Sequence, residues 1–222
     1  MEKATPSTAE RAARVALLGG VLAPCMLVAV ILIVGQVTPG YDPISETISQ
    51  AGTSDSRYAA LQNSAIILYG LLMLGVAYGW YKRLGGAAAT FMAVQGFGII
   101  LLAVFTDSPD YTGKPMSQDM MHNISSDIAF AGLMLGILAF WKVVRQDRAL
   151  KTLATFGLVV FALDLLLPFV AFFEFLKPVS GLLQRLPVSG SFLWLALTSL
   201  ALYRYPSSQV DRQIPTKRNV LV

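Results

Sequence analysis

VALLGGVLAPCMLVAVILIVG, residues 15–35, is the stretch that decides the fold. It contains no charged side chain, and it has about the 20 apolar residues that a helix needs to cross the hydrocarbon core of a bilayer. It is longer than the roughly 7–15-residue apolar region of a signal peptide, and no small-x-small cleavage site follows it. We therefore expect a transmembrane helix that is retained in the protein.

The composition of the whole chain also points to a membrane. Hydrophobic residues make up 55% of the 222 residues and charged residues 14%, with a mean hydropathy of +0.61. A soluble domain of this length has roughly a quarter of its residues charged. The net charge of +4 would suit nucleic acid, but the basic residues lie in short loops between apolar runs. We therefore expect membrane lipids, and no nucleic acid, around this chain.

Further apolar segments follow the first one along the chain. We expect the second to sixth transmembrane helices at residues 63–81, 86–106, 122–144, 152–173 and 188–203. The predicted fold class is all-α: a polytopic membrane helical bundle of six transmembrane helices in one domain, residues 15–205. A cytoplasmic segment, residues 1–14, precedes this domain, and a polar, disordered cytoplasmic tail, residues 206–222, follows it.

The distribution of Lys and Arg predicts the orientation of these helices. Thirteen of the 17 basic residues fall in the N-terminal segment, the second-to-third turn, the fourth-to-fifth turn and the C-terminal tail. Basic residues are enriched in cytoplasmic loops. We therefore expect a multi-pass protein of the plasma membrane with both termini in the cytoplasm, which agrees with an even number of helices.

The first two loops on the opposite, outer side differ in kind from the short cytoplasmic turns. They cover about residues 36–62 and 107–121, and they are rich in Gly, Pro, Ser, Asp and Tyr. Long polar loops in a compact fold are more often functional than idle. The acidic residues gather on this side as well, so we expect any functional site at the outer face.

The first outer loop has a short amphipathic pattern, with Ile44, Ile48 and Ala51 as its apolar members. This spacing indicates a short helix at the outer membrane boundary. Such a helix could cover the bundle as a lid or serve only as packing, and packing is the default interpretation. The polar residues on its other faces are Ser45, Glu46 and Ser49.

The single histidine, His122, lies where the second outer loop enters the fourth helix. In a helix Asp119, His122 and Ser126 share one face, at i, i+3 and i+7. Asn123 flanks that face, and Asp127 follows Asn123 by one turn. A histidine moves protons near neutral pH, and a nearby carboxylate orients its ring. The spacing therefore favours an acid–base cluster near the outer boundary.

Structural interpretations stand beside this one. Ser117 and Asp119 also suit the start of a helix, because caps and acidic groups are favoured at the positive end of its dipole. Capping is the favoured interpretation for Asp119. For His122 both a catalytic role and a plain interfacial position stay open, because it is unique and is flanked by polar residues on an apolar helix.

Two carboxylates fall inside the apolar segments. A carboxylate exposed to lipid near the bilayer centre costs at least about 2.5–3.5 kcal/mol, so we expect Asp127 and Asp164 to face the bundle interior. Asp164 stands in FALDLLLPF, residues 161–169, with Pro168 one turn later. A polar interior pocket and a single interhelical hydrogen bond to Ser, Asn or Gln remain open for Asp164.

Several site classes lack their residues. One histidine and one cysteine do not supply the usual zinc ligand sets, so we predict no metal site, although a site of histidine and carboxylates stays open. The sequence has neither a phosphate-binding P-loop nor a dinucleotide fingerprint, and a Gly-x-Ser-x-Gly elbow is also absent. We therefore predict no cofactor.

A family resemblance rests on three short motifs. They are PGYDPISETIS at residues 39–49, FTDSP at residues 105–109, and His122-Asn123 at the start of the fourth helix. The chain up to about Tyr205 resembles the domain-of-unknown-function family 998 (DUF998), six-helix membrane proteins of prokaryotes. The resemblance implies the architecture and no settled activity. The recurrent polar positions of the family match Ser45, Ser49, Asp107 and His122.

Three functions from different classes remain. The first is an enzyme that acts on, or a protein that binds, a lipid-like substrate at the outer face. The second is a small-molecule or ion binding or transport protein built around the buried carboxylates, and the third is an accessory or scaffold subunit with a membrane-protein partner. The catalytic candidates are Asp107, Asp119, His122 and Asp127. The substrate-binding candidates are Ser45, Glu46, Ser49, Asn123 and Asp164.

Overall fold

The computed structural model describes residues 7–53, 56–107, 117–170 and 173–205, and within these ranges all regular structure is helical. Residues 1–6 of the predicted N-terminal segment and the predicted tail, residues 206–222, lie outside the described residues. Two short 3-10 helices, Ser49–Gly52 and Glu174–Val179, accompany the α-helices. The α-helices are α1 (Thr8–Val37), α2 (Ala59–Leu84), α3 (Gly86–Val104), α4 (Gln118–Val144), α5 (Lys151–Val170) and α6 (Ser180–Arg204).

The lengths and composition of these helices suit a membrane. In the described part of the chain, α1 to α4 and the segment Glu174–Arg204 are long and apolar enough to cross a bilayer. The 20 residues of α5 rise about 30 Å, which is also the thickness of the hydrocarbon core. The prediction of an all-α membrane helical bundle is confirmed.

Two helices begin well before the transmembrane segments predicted from the sequence. Helix α1 begins at Thr8 instead of residue 15, because the Ser7 hydroxyl accepts a hydrogen bond from the Glu10 backbone N–H (3.2 Å) and caps the helix. Helix α6 begins at Ser180 instead of residue 188. Its first two turns contain the polar residues Ser180, Gln184 and Arg185, which the loop after α1 contacts as described below.

The six helices close into a ring. Each helix packs against its neighbours in the chain, and α6 returns to pack against α1. Successive helices run in opposite directions, and α2 and α3 are joined by Gly85 alone, which adopts φ 87°. We call the end with Gly85 and the α4–α5 turn the basic end, and the end at which α2, α4 and α6 begin the loop end.

An aromatic plug fills the ring toward its basic end. It consists of Trp80, Phe140 and Trp194, all fully buried, with ring centroids 5.4–5.8 Å apart. The Trp194 indole N–H donates to the Leu153 carbonyl at 3.1 Å and ties the plug to α5. Such tilted and edge-to-face contacts stabilise aromatic clusters beyond the area they bury. The interior of the ring is therefore closed below its middle.

Two glycines bring α3 and α4 together. A Cβ on Gly98 would lie 2.5 Å from the Ala129 backbone nitrogen, and one on Gly132 would lie 2.5 Å from the Gln95 backbone nitrogen. Real Cβ atoms do not approach that closely, so these positions admit only glycine at this spacing. The close approach leaves no gap between α3 and α4, and it places Gln95 and Ala129 on the inner wall of the ring.

Candidate functional site

The loop after α1 forms a folded segment across the loop end, which we call the strap and define as Tyr41–Thr53. Asp42 organises its first turn: Oδ1 accepts from the Ile44 N–H (3.0 Å), and Oδ2 accepts from the Ser45 hydroxyl (2.7 Å). These two bonds, that from Ile44 first, lower the pKa of the Asp42 carboxyl. The Glu46 carboxylate accepts from the Asp42 N–H (2.8 Å) in return.

The predicted amphipathic helix of the strap is wrong for its first half. Ile44 is 52% exposed, and regular structure is limited to the 3-10 turn Ser49–Gly52, in which Ala51 is buried. The physical reason is local competition. The backbone N–H groups of Thr47 and Ile48 donate to the side chains of Gln50 and Gln184 instead of to carbonyls one turn earlier, which favours turns over helix.

Arg185 on α6 fastens the strap. Its Nη1 donates to the carbonyls of Pro43 (2.7 Å) and Glu46 (2.7 Å), and its Nη2 donates to the Tyr41 hydroxyl. The strap and α6 meet so closely that a Cβ on Gly181 would lie 2.2 Å from the Glu46 carbonyl oxygen. Two further bonds join the same elements: Ser180 Oγ donates to the Ser45 carbonyl (2.6 Å), and the Leu182 N–H donates to the Ile44 carbonyl (3.0 Å).

Ile48 links the strap to two helices at once. Its N–H donates to Gln184 Oε1 on α6 (2.7 Å), and its carbonyl accepts from Gln62 Nε2 on α2 (2.7 Å). Asn63 Nδ2 adds a bond to the Gly52 carbonyl (3.1 Å). The strap is therefore held between α2 and α6, over the open end of the ring.

A cavity of about 490 Å³ lies beneath the strap and above the aromatic plug. Its walls come from α1, α2, α3, α4 and α6, and α5 contributes Asp164. The apolar lining residues are Leu27, Ile31, Ile48, Ile66, Ile99, Leu102, Ala129, Phe130, Leu133, Val188, Phe192 and Leu195. The remaining lining residues are Thr47, Ser49, Gln62, Asn63, Tyr69, Gln95, Thr106, Asp107, His122, Asn123, Ser126, Asp164, Gln184 and Ser191.

Asp164 is the deepest carboxylate in this lining. It is 4% exposed, and its Oδ2 accepts a hydrogen bond from the Ser191 hydroxyl of α6 at 2.6 Å. Asp164 therefore makes the interhelical bond to a serine that was one of the two interpretations, and it also lines the cavity. Nearby, the side chains of Tyr69 and Gln95 hydrogen-bond each other across α2 and α3.

His122 stands near the mouth of the cavity. Its ring is buried, and Nδ1 lies 2.7 Å from the Phe105 carbonyl oxygen at the end of α3. A carbonyl only accepts, so Nδ1 carries the proton of this bond. In the neutral ring Nε2 is then the basic nitrogen. The residues after Phe105, Thr106 and Asp107, line the same mouth, and Gln118 Nε2 donates to the Thr106 carbonyl at 3.2 Å.

The structure brings together five of the nine predicted site residues. These are Ser49, Asp107, His122, Asn123 and Asp164, which all line the cavity. Ser45 and Glu46 belong to the strap but not to the lining. Asp119 is buried in the first turn of α4 and makes an interaction there, although it does not line the cavity. Ser117 starts that helix without a side-chain capping bond.

The prediction that Asp127 faces the bundle interior is wrong. Asp127 is exposed and does not line the cavity. It follows His122 by five residues, which turns its side chain well away from the His122 face of the helix. The 27 residues of α4 rise roughly 40 Å, more than the hydrocarbon core, and Asp127 lies only about 14 Å from the start. An exposed carboxylate near the boundary costs less than one at the bilayer centre.

Sequence reasoning missed several polar residues of the site. Gln62, Gln95, Tyr69, Gln184 and Ser191 all line the cavity and all lie in helices. The side-chain oxygens of Gln62 and Gln95 are buried without a hydrogen-bond partner. The available signal was a glutamine inside an otherwise apolar helix, which marks an interior polar position just as a carboxylate does.

No metal-binding cluster is found in the part of the chain that the structure describes, where no group of three His, Cys, Asp or Glu side chains converges. Comparison with known proteins gives one match. Residues 21–201 match the model of a family described as "Protein of unknown function (DUF998)". No curated protein and no solved structure matches this chain.

Proposed function

We propose, from the premise that this chain belongs to the DUF998 family of proteins of unknown function, that it binds one lipid-like amphiphile in the cavity beneath the strap. The observation that carries the proposal is the cavity itself, which has a volume of about 490 Å³ and mostly apolar walls with a few polar side chains among them. Small-molecule sites have this character and lie in the range of about 300–1,000 Å³. Its lining residues come from all six helices and the strap.

The orientation of the bundle supports access from the outer leaflet. Lys82, Arg83, Lys142 and Arg145 lie at the basic end, which by the positive-inside bias faces the cytoplasm of the plasma membrane. The strap and the cavity mouth then face outward. A ligand would arrive from the outer leaflet or from outside the cell.

The shape of the cavity suits a molecule with an apolar tail. Asn123, Ser126 and Phe130 follow one another at i, i+3 and i+7 on α4, and all three line the cavity and keep an accessible surface. We infer that this surface opens the cavity sideways along α4. Phe130 lies about 18 Å from the start of α4, a depth at which that surface meets lipid. An acyl or prenyl tail could leave the site there without crossing the strap.

The test uses cavity filling with a matched control. Val188 lines the cavity, whereas Val159 on α5 is exposed and outside it, so Val188→Trp and Val159→Trp make the same change in the two places. Each protein is purified in detergent, and its lipids are identified by mass spectrometry against the total membrane extract. We expect wild type and Val159→Trp to retain the same lipid class and Val188→Trp to lose it. Equal retention by a correctly folded Val188→Trp protein would refute the proposal.

A second candidate function, catalysis on the bound amphiphile, rests on His122. The Phe105 carbonyl holds Nδ1–H, which leaves Nε2 as the proton acceptor in a ring that lines the cavity. This is the arrangement of an oriented general base, which could take a proton from a hydroxyl, an amine or a water molecule. Asp107 at the same mouth would stabilise the charged ring. Asp119 does not line the cavity, so it would affect catalysis only by holding the first turn of α4, and with it His122, in position.

A lipidome comparison separates catalysis from binding. The strains are a gene deletion, the deletion restored with wild type, and the deletion restored with His122→Gln at matched expression. Glutamine keeps a donor for the Phe105 carbonyl but supplies no base. Catalysis predicts that one lipid class changes on deletion and that only wild type corrects it. Full correction by His122→Gln would leave binding alone as the function.

A further inference from the structure

We propose that the polar group of the ligand is a protonated amine and that it binds to Asp164. This inference rests on the proposed function and names the ligand class of that same cavity. Among the described residues that line the cavity, the acidic and basic side chains are Asp107, His122 and Asp164. Neither lysine nor arginine is among them. The lining therefore favours positive charge and disfavours negative charge.

The hydrogen-bonding pattern around Asp164 also calls for a donor. The Ser191 hydroxyl donates its one hydrogen bond to Oδ2 of Asp164. Oδ1 of Asp164 accepts no hydrogen bond within the described part of the chain. Oδ1 of Asp164 is not among the fully buried side-chain atoms that lack a partner, so it keeps an accessible surface on the cavity side. Oδ1 of Asp164 is therefore an acceptor that the deep part of the site offers to its ligand.

A primary ammonium group satisfies this arrangement best. It carries three N–H donors on one compact charge, enough for Oδ1 and for a neighbouring oxygen. An ionised carboxylate taken out of water without a partner is costly, and an opposite charge within hydrogen-bond distance offsets that cost. A phosphate or carboxylate headgroup would instead meet Asp164 with like charge. An alcohol would supply one donor and no charge.

Nearby cations do not change this conclusion. Among the described basic residues, Arg185 contacts the strap, and its donors are engaged by the carbonyls of Pro43, Glu46 and Gly181 and by the Tyr41 hydroxyl. It does not line the cavity. Arg185 therefore holds the strap and does not neutralise Asp164.

The test compares headgroups on one tail. Decylamine, decanol and decanoate are titrated against the protein in nanodiscs of a zwitterionic lipid, and the shift of the unfolding temperature is measured. Bound ligand stabilises the folded state by mass action, so the shift gives an apparent affinity. The Val188→Trp protein in the same nanodiscs corrects for partition of each probe into the bilayer. We expect decylamine to bind at least ten-fold more tightly than the other two.

Substitutions then locate the headgroup. We expect Asp164→Asn to weaken decylamine binding at least ten-fold and to change decanol binding by less than two-fold. Asp127→Asn, which removes an exposed carboxylate outside the cavity, should change neither. Equal or tighter binding of decanol or decanoate by wild type would overturn the amine assignment and leave amphiphile binding intact. Binding of none of the three would overturn both. The headgroup comparison on wild type decides the matter even if Asp164→Asn fails to fold.

Discussion

Removal of the Arg185 guanidinium should release the strap from α6. Arg185→Met keeps only the apolar stem of the side chain and removes its bonds to the strap, among them those to the Pro43 and Glu46 carbonyls, each 2.7 Å long. A hydrogen bond from a charged group contributes about 1.5–3 kcal/mol when buried, and Arg185 is only half-buried, so we take about 1 kcal/mol for each. The docked strap should lose about 2 kcal/mol, which is a roughly 30-fold rise in the undocked population.

Hydrogen–deuterium exchange measures this change directly. The amides of Ile48 and Leu182 are bonded to Gln184 and to the Ile44 carbonyl, so both bonds exist only while the strap is docked. Their exchange rates should rise with the undocked population. The core of α2 around Met73 should keep wild-type protection.

The control and the refuting outcome follow from the same region. Lys177 forms an exposed ion pair with Glu174 in the adjacent 3-10 helix, so Lys177→Ala should leave the strap amides unchanged. Arg185→Lys should give an intermediate rise, because lysine keeps the charge but lacks the planar fork that reaches two carbonyls at once. Exchange at Ile48 and Leu182 within two-fold of wild type in Arg185→Met would refute the reasoning.

Two further predictions concern packing and pH. Gly181→Ala should lower the unfolding temperature and loosen the strap, because its Cβ would lie 2.2 Å from the Glu46 carbonyl oxygen; Gly190→Ala, whose Cβ would make an ordinary 3.7 Å contact with Val160, is the control and should change little. At the basic end Tyr205 donates to the buried carboxylate of Asp147, and burial, followed by that bond, raises the pKa of Tyr205 to about 12. The raised value means that the stability from Tyr205 is present below about pH 10 and is lost as the pH rises toward 12. Thermal unfolding between pH 7 and 11 should therefore show a steeper decline above pH 10 in wild type than in Tyr205→Phe, and parallel curves would contradict it.

The six helices could be predicted from the sequence because a helix that crosses lipid needs a long apolar run, and that property is local. The start of α6 could not be predicted in the same way. Its polar residues Gln184 and Arg185 suggest a loop, and only their bonds to the strap backbone explain why they are helical. Those bonds join residues more than 130 positions apart, a relation that neither periodicity nor hydropathy contains.

The candidate site was predictable where a polar residue is costly in an apolar segment. Asp164 and His122 stand out for that reason, and both line the cavity. Asp127 carried the same signal and was misassigned, because the cost of exposure depends on depth along the helix as well as on its surroundings. Gln95 shows the converse. Its backbone packs against Gly132 where α3 and α4 approach closely, and its side chain lines the cavity. This contact between two helices is not visible in the sequence.

The closed basic end of the ring bears on the choice between binding and transport. A carrier of the cavity ligand needs a second route of access from the opposite side of the membrane. Trp80, Phe140 and Trp194 occupy that route, each fully buried and in contact with the others. Opening it would require the simultaneous loss of three aromatic contacts and of the Trp194–Leu153 hydrogen bond. The strap, by contrast, is held by polar bonds at the loop end. For the proposed ligand, the filled basic end therefore favours loading and release at the loop end alone.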